Sequence, residues 1–160
     1  MSIPPDTFRT ALSRWSSGVT IVTARTPEGE RVGLTASSFA SLSLEPPLVL
    51  FCLGRASTNF DAFQAVPGFA VHILGAEQEA LSNRFAAHTG DRFEGLELSD
   101  GRHGAPLLPG CLAVLECRLH QRVPGGDHVI MMGEVEEVTV QDGAPLVYFR
   151  GSYRRLSNDA

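Results

Sequence analysis

Two long runs rich in apolar residues, separated by a tight turn, occupy residues 111–140. The first run covers residues 111–123 and the second covers residues 127–140, with Pro124-Gly125-Gly126 between them. A proline followed by two glycines is typical of a chain reversal, so this stretch predicts a long antiparallel hairpin. Strands paired in this way belong to antiparallel sheets, whereas consecutive parallel strands need a crossover connection.

Shorter β-branched or apolar runs occur along the rest of the chain, and turn residues separate several of them. They predict strands at residues 19–24, 31–36, 37–44, 48–53, 69–74 and 146–150, the first two forming a hairpin. The run at 48–53 is continuously apolar, which predicts a strand covered on both faces. Many strands joined by hairpin turns indicate a mainly β, antiparallel barrel rather than alternating βαβ units.

Few segments show helical periodicity. An N-terminal helix is predicted by the i, i+3, i+4, i+7 spacing of its expected buried face, Phe8, Ala11, Leu12 and Trp15. Ser57 or Thr58 could cap a short second helix, and residues 76–88 predict a third. Residues 91–110 are rich in Gly, Pro and Asp and predict a long functional or covering loop.

Composition limits the classes of function. A chain of 160 residues, 43% of them hydrophobic, fits one domain over residues 1–160 with its core at about 8–153. The net charge of −5 gives no basic footprint for nucleic acid or an anionic membrane. All 13 positive residues are arginine, which excludes lysine Schiff bases and the lysine-containing phosphate loop. The absence of GxGxxG excludes a doubly wound nicotinamide domain.

The cysteines and the N-terminal residues bear on the compartment. Cys52, Cys111 and Cys117 are odd in number and lack CxxC spacing, which favours reduced thiols over disulfides or a zinc site. No signal-peptide pattern is present, and no apolar run reaches the roughly 20 residues of a membrane span. We therefore expect a soluble, cytoplasmic protein without a metal site.

Three polar clusters are candidate ligand contacts. Residues 35–41 combine small and hydroxyl side chains, which suit a flat polar ligand but equally an edge strand with a serine-rich solvent face. Residues 55–59 lie at a helix start, where free N–H groups suit a phosphate, although helix capping also explains them. His128, in Gly126-Asp127-His128, could contact a nicotinamide or simply face solvent at a hairpin end.

Six segments, in this order, resemble the flavin reductase domain, the small reductase partners of two-component flavin monooxygenases. They are GLTASSFASLSLEPPLVLFCL (33–53), ASTNF (56–60), FAVHIL (69–74), NRFA (83–86), LECRLHQRVPGGDHVIMMGEV (115–135) and PLVYFRGSY (145–153). The resemblance covers residues 8–153. It implies a split antiparallel β-barrel (an FMN-binding split barrel) with a few flanking helices, usually a homodimer.

The resemblance also implies an activity and its residues. NADH or NADPH would reduce free FMN or FAD by direct hydride transfer to flavin N5, and the reduced flavin would supply a partner monooxygenase. Around the isoalloxazine it implies Thr35, Ala36, Ser37, Ser38 and Ser41, with Cys52 in the flanking strand. Beside the ribityl chain and phosphate it implies Ser57, Thr58 and Asn59, with Arg84 and Phe85 completing the pocket. It implies that His128 is the catalytic residue near the nicotinamide, and that Arg150 and Tyr153 close over the dinucleotide.

Two other functions stay open at this point. A split-barrel oxidase of the pyridoxamine-phosphate type would keep its flavin, but we expect it to need more basic phosphate ligands than these segments offer. A non-enzymatic flavin- or haem-binding barrel would show colour without turnover of NADH. The sequence leaves FMN, FAD and riboflavin undistinguished, and likewise NADH and NADPH.

Overall fold

The computed structural model describes residues 2–157 and is mainly β. These residues form three α-helices, α1 Pro5–Leu12, α2 Phe60–Ala65 and α3 Glu79–Ala86. The strands are β1 Ser17–Gly18, β2 Thr20–Arg25, β3 Arg31–Ala36, β4 Ala40–Leu44, β5 Pro47–Gly54, β6 Gly68–Ile73, β7 Ser99–Asp100, β8 Pro106–Leu107, β9 Ala113–Gly125, β10 His128–Val140, β11 Val147–Phe149 and β12 Ser152–Arg154. A short 3-10 helix covers Arg102–Gly104.

Seven strands form the main sheet in the order β3-β2-β6-β9-β10-β5-β4, and every neighbouring pair is antiparallel. The predicted long hairpin is confirmed as β9 and β10, which lie near the middle of this order. Two smaller sheets, β1-β11-β12 and β7-β8, complete the fold.

The connection between β3 and β4 forces the main sheet to curl. These strands lie at opposite edges of the sheet, yet only residues 37–39 separate them in the chain. Six strand spacings would put the edges about 29 Å apart in a flat sheet, whereas four residue steps reach at most about 14 Å. The two edges therefore approach one another at residues 37–39, as a barrel-like sheet requires.

Two apolar clusters stabilise the curled sheet. The first fills the inside of the curl, where Phe51 packs edge-to-face against both Phe63 and Phe69, with ring centroids 5.9 and 5.2 Å apart. The second lies between the sheet, α3 and residues 91–112, where Phe85 meets Phe93 at 5.1 Å. The predicted covering loop thus supplies core residues, and it contains the β7–β8 hairpin.

His72, on β6, links the sheet to this covering segment. Its side chain has 0% exposure. Because the Leu108 N–H can only donate, Nε2 accepts that bond (3.1 Å) and Nδ1 donates to the Ile21 carbonyl (3.1 Å). Burial lowers the pKa of His72 to about 4, although the Ile21 hydrogen bond raises it. The position of His72 within the apolar run at 69–74 predicts a packed or partner-satisfied side chain; the structure confirms this, and the imidazole is neutral at pH 7.

Several sequence expectations differ from the structure. The prediction that α1 buries one face is wrong for the isolated chain, because Phe8, Leu12 and Trp15 are 54%, 56% and 80% exposed. Strand β5 alternates between buried and half-buried side chains instead of being covered on both faces. The segment at 37–44 is strand only from Ala40, and α3 is shorter than residues 76–88. Strand β12 was not predicted.

The second helix also begins differently. Asn59, not Ser57 or Thr58, is the residue before α2, and it makes no side-chain cap. Ser57 Oγ instead accepts the Asn59 N–H at 3.2 Å. No helix within residues 2–157 is long and apolar enough to cross a membrane.

The neutral His72 predicts a specific loss of stability in acid. Its folded-state pKa of about 4 lies below the ordinary 6.5, so the unfolded chain binds the extra proton. Its contribution is complete above about pH 6.5 and is lost as the pH falls towards 4. Between pH 7 and 5 we expect it to lower the free energy of unfolding by about 2 kcal/mol.

Urea unfolding at pH 7 and pH 5 measures this effect. The matched variant is His72→Gln, which we expect to be less stable at pH 7 by about 1–3 kcal/mol but to lose less stability on acidification. Parallel pH dependences of the wild-type protein and the variant would contradict the role of His72.

Candidate active site

A cleft of about 520 Å³ opens where β3 and β5 approach one another. Its wall is formed by the end of β3 and the bend after it, the end of β5, residues 56–59, the end of α3 and the start of β10. Ten of the fourteen residues expected at the site line it: Thr35, Ala36, Ser37, Ser38, Cys52, Ser57, Thr58, Asn59, Phe85 and His128. Their roles remain predictions, but the fold brings them to one place.

Ser38 fastens one side of the cleft. Its Oγ accepts the Cys52 N–H (2.9 Å) and donates to the Cys52 carbonyl (3.2 Å). These two hydrogen bonds join the bend after β3 to β5. They replace the backbone hydrogen bonds that a regular strand would make there, since β4 pairs with β5 only from Ala40. Thr35 Oγ1 donates to the Ser82 carbonyl (2.5 Å), which ties the same segment to α3. The wall is therefore built from backbone and small side chains, which leave room for a flat ligand.

Asn59 and Arg92 form a polar end of the cleft. The buried Asn59 amide donates to the Gly33 carbonyl (3.2 Å) and its Oδ1 accepts from Arg92 (3.3 Å). Arg92 also donates to the Ala87 carbonyl from Nε (3.2 Å) and Nη2 (2.5 Å), so two elements hold the guanidinium. Among the described residues that line the cleft, Arg92 is the only arginine. A positive charge beside hydroxyl groups suits a phosphate.

His128 stands at another side of the cleft, at the start of β10. Its Nδ1 lies 2.7 Å from Asp127 Oδ1, and this hydrogen bond lowers the pKa of the exposed Asp127 carboxyl. Gly54 is its strand partner, and the Nε2 of His128 would lie only 3.5 Å from a Cβ at that position. The Arg55 N–H donates to the Asp127 carbonyl (2.9 Å), which fixes the turn that carries the imidazole.

A second cavity, of about 360 Å³, adjoins the cleft and shares Thr35, Ser37 and Ala86 with it. Tyr153 belongs here and not to the cleft. Its hydroxyl bonds to Ser82 Oγ (2.7 Å) and donates to Asn83 Oδ1 (3.0 Å), so it attaches β12 to α3.

Three other expected residues also lie outside the cleft. Ser41 is an exposed residue of β4, displaced along the strand from the Ser38 bend. The Arg84 guanidinium donates to the Asp91 and Glu94 carbonyls, where it holds the covering segment. Arg150 adopts a positive φ in the turn before β12 and stacks on Phe149 at 5.2 Å. These three residues and Tyr153 therefore do not line the cleft in which we expect the cofactor to bind.

Sequence reasoning missed Arg92, His88 and Gly54, all of which line the cleft. Arg92 and His88 lie in or beside the covering segment, whose path depends on tertiary packing. Gly54 ends an apolar run and had no pattern of its own. Residues 2–157 contain no group of three or more His, Cys, Asp or Glu side chains placed to hold a metal ion.

Comparison with known proteins identifies the family. The model of the flavin reductase like domain matches residues 12–157. This chain belongs to that family. It is 47% identical to the reductase component of 4-hydroxyphenylacetate 3-monooxygenase from Thermus thermophilus, over 94% of this chain and 96% of the relative. It is 44% identical to the FMN reductase (NADH) SmoA of Agrobacterium fabrum, over 94% and 85% of the two chains.

A solved structure supports the same assignment and the split-barrel fold. The NADH:FAD oxidoreductase SgcE6 of Streptomyces globisporus, in complex with NAD and FAD fragments, superposes with a TM-score of 0.91 at 38% identity. The match covers 100% of this chain and 99% of that chain. The resemblance seen in the six sequence segments is therefore confirmed at the level of family and fold.

Cysteine reactivity can test whether the cleft takes flavin. Cys52 lines the cleft and is half-buried. Cys111 and Cys117 are buried, and burial raises the pKa of both thiols, that of Cys117 to about 12 with help from nearby Glu136 and Glu116. Since thiolate is the reactive form, we expect an aromatic disulfide reagent to modify Cys52 first, and FMN to slow this phase.

The matched control is Cys52→Ser, which should remove the fast phase and leave the slow one. A fast phase that survives in this variant, or one that saturating FMN leaves unchanged, would contradict the placement of flavin against Cys52.

Proposed function

We propose that this chain is an NAD(P)H-dependent flavin reductase that binds free FMN or FAD in the cleft and releases it reduced. The observation that carries the proposal is the meeting of small hydroxyl side chains, one guanidinium and one imidazole in a cleft open to solvent, in a chain of this family. An open cleft suits a flavin that enters and leaves as a substrate.

The polar end supplies the charge for a flavin phosphate. Arg92 offers donors that can meet phosphate oxygens, and the Ser57 and Thr58 hydroxyls lie in the same part of the wall. The Thr35–Ser38 segment then borders the ring system, where its small side chains allow backbone N–H groups to approach. Such donors stabilise negative charge on a reduced ring without a lysine or a metal.

His128 acts at the nicotinamide in this proposal. Bound flavin supplies an electrophilic N5 that accepts hydride from nicotinamide C4. The imidazole, held by Asp127 and facing the side-chain-free Gly54, can position the nicotinamide over the ring. Hydride transfer depends on this face-to-face positioning more than on acid–base groups. A single arginine in the cleft favours this reading over an oxidase that retains its flavin through several basic phosphate ligands.

The partner that consumes the product is a flavin-dependent monooxygenase. Relatives include a monooxygenase reductase component and a flavin-dependent monooxygenase reductase subunit, and the reduced flavin is the product that such an oxygenase uses. The three cysteines are free thiols, which are typical of a reducing compartment, so the proposal includes a cytoplasmic location.

We also infer a homodimer from the apolar surface of α1. Phe8, Leu12 and Trp15 are exposed, and a cavity of about 510 Å³ beside Leu12 and Trp15 connects through Ser37 to the cavity that adjoins the cleft. An apolar stripe on an amphipathic helix that its own core does not cover is typical of an interface. A second copy of this chain would cover it and close that side of the site.

Turnover is the first test of the proposed function. We expect NADH oxidation, followed at 340 nm, to require added flavin and to saturate with it. His128→Ala should raise the KM for NADH about tenfold or more while flavin affinity changes less than about twofold, because the imidazole contacts the nicotinamide and not the phosphate end.

Two outcomes would contradict this assignment. Tight flavin binding without NADH oxidation would support a binding protein or an oxidase. Equal losses of NADH use and flavin affinity in His128→Ala would remove the separate role of the imidazole. Val138→Ala, on the exposed part of β10, provides the matched control.

Light scattering after size-exclusion chromatography tests the dimer. We expect twice the chain mass for the wild-type protein and the mass of one chain for Trp15→Glu combined with Leu12→Glu, because buried carboxylates oppose the interface. Val138→Glu changes an equally apolar exposed residue elsewhere and should stay dimeric. A wild-type protein that runs as a monomer at micromolar concentration would disprove the inference.

A further inference from the structure

We propose that the cleft continues beyond Asn59 and Arg92 into a second anion subsite, in which Arg31 takes the second phosphate of a dinucleotide flavin. The consequence is a preference for FAD over FMN. The inference rests on the proposed function, since it concerns the same cleft and names which flavin fills it.

The space for this group is a cavity of about 220 Å³ next to the cleft, which we call the annex. It is lined by residues 30–33, 90–93 and Asn59, and it shares Asn59 and Arg92 with the cleft. A ligand whose first phosphate meets Arg92 therefore has a continuous path past Asn59. FMN ends at that first phosphate, whereas FAD carries a second phosphate and an adenosine beyond it.

Arg31 lies on the wall of the annex that β3 forms. Gly33, two residues further along β3, accepts the Asn59 amide on its carbonyl. A Cβ at Gly33 would lie 3.2 Å from the Phe93 ring. Side chains two residues apart lie on the same face of a strand, about 7 Å from one another, so Arg31 lies on the face of β3 that meets Phe93. Its guanidinium lies over the Phe93 ring, 5.4 Å from the centroid. Phe93 is 5% exposed and is fixed by the core, which limits the positions of the arginine.

Neither guanidinium charge is paired with a carboxylate of residues 2–157. In the part of the chain that the structure describes, Arg9, Arg25, Arg102, Arg118 and Arg155 form salt bridges, whereas Arg31 and Arg92 form none. Two carboxylates, Glu30 and Asp91, also border the annex. Asp91 Oδ1 accepts the Phe93 N–H (2.9 Å), which occupies one of its oxygens. Because a guanidinium fork matches the geometry of phosphate oxygens, Arg31 offers donors to a phosphate beyond the one that Arg92 meets.

The 2′-phosphate of NADPH has the same chemistry as the group proposed here. We assign the annex to the flavin because it shares Asn59 and Arg92 with the cleft, whereas His128 is not among its lining residues. If Arg31 bound the 2′-phosphate of NADPH, its substitution would change the preference between NADH and NADPH and leave the preference between FAD and FMN unchanged.

Isothermal titration with FAD, FMN and riboflavin, in the absence of NADH, tests the proposal. For the wild-type protein we expect FAD to bind about five- to tenfold tighter than FMN, the gain of one exposed charge-assisted contact. Arg31→Ala should remove this difference and leave FMN affinity within about twofold. Arg31→Lys should restore part of it, and Arg92→Ala should weaken both phosphorylated flavins but not riboflavin.

Controls separate the alternatives. Arg102→Ala removes an exposed arginine that pairs with Glu137 and should leave both affinities unchanged. Equal affinity of the wild-type protein for FAD and FMN, or equal losses for both in Arg31→Ala, would overturn the annex even if NADH oxidation is robust. A rise in KM for NADPH but not NADH in Arg31→Ala, with flavin selectivity intact, would assign the arginine to the nicotinamide donor. Selectivity for FAD without any turnover would instead contradict the proposed function alone.

Discussion

The three residues between β3 and β4 constrain the whole molecule. They join the two edges of a seven-stranded sheet, so the sheet can form only if it curls until those edges meet. The Ser38 hydroxyl then completes the junction through its two hydrogen bonds to Cys52. A curled sheet closed in this way cannot pair fully at the seam, because residues 37–39 have no strand partner. The cleft is this seam, and its exposed hydroxyl and backbone groups result from the interrupted pairing.

The same geometry separates the two ends of the cleft chemically. The hairpin of β9 and β10 delivers His128 opposite Gly54, while the covering segment after α3 delivers Arg92 to Asn59. The imidazole and the guanidinium come from different elements and are held by different partners, Asp127 and the Ala87 carbonyl. A substitution near one of them therefore need not disturb the other, and in the proposed binding mode a flavin is bound at its phosphate while its ring stays accessible to a second substrate.

Patterns that depend on neighbouring residues were visible in the sequence. The β9–β10 and β2–β3 hairpins follow from strand-forming runs separated by turn residues, and the packed His72 follows from its place in an apolar run. The site residues at 35–38 and 57–59 came from the family resemblance. Features that depend on distant packing were not visible. Arg92 reaches the cleft only because Phe93 anchors its segment beside Phe85, and Ser41 misses it because the chain bends at Ser38. The apolar stripe of α1 predicted a buried face, but Phe8 and Leu12 are exposed in the chain, because its own core does not reach this helix.

A reductase that passes its flavin to another protein needs a site that holds the ring without trapping it. The side chains at the proposed ring position are hydroxyls and small groups, whose net contributions are about 0.5–1.5 kcal/mol each, and no lysine exists in the chain to add a stronger anchor. Affinity must then come chiefly from phosphate contacts at the far end, which do not change when the ring is reduced. Interactions of this kind bind the oxidised and reduced flavins alike, so they secure the substrate without opposing hydride transfer. In the proposed binding mode the arginine meets the phosphate and not the reacting ring, which would satisfy both requirements of a diffusing carrier.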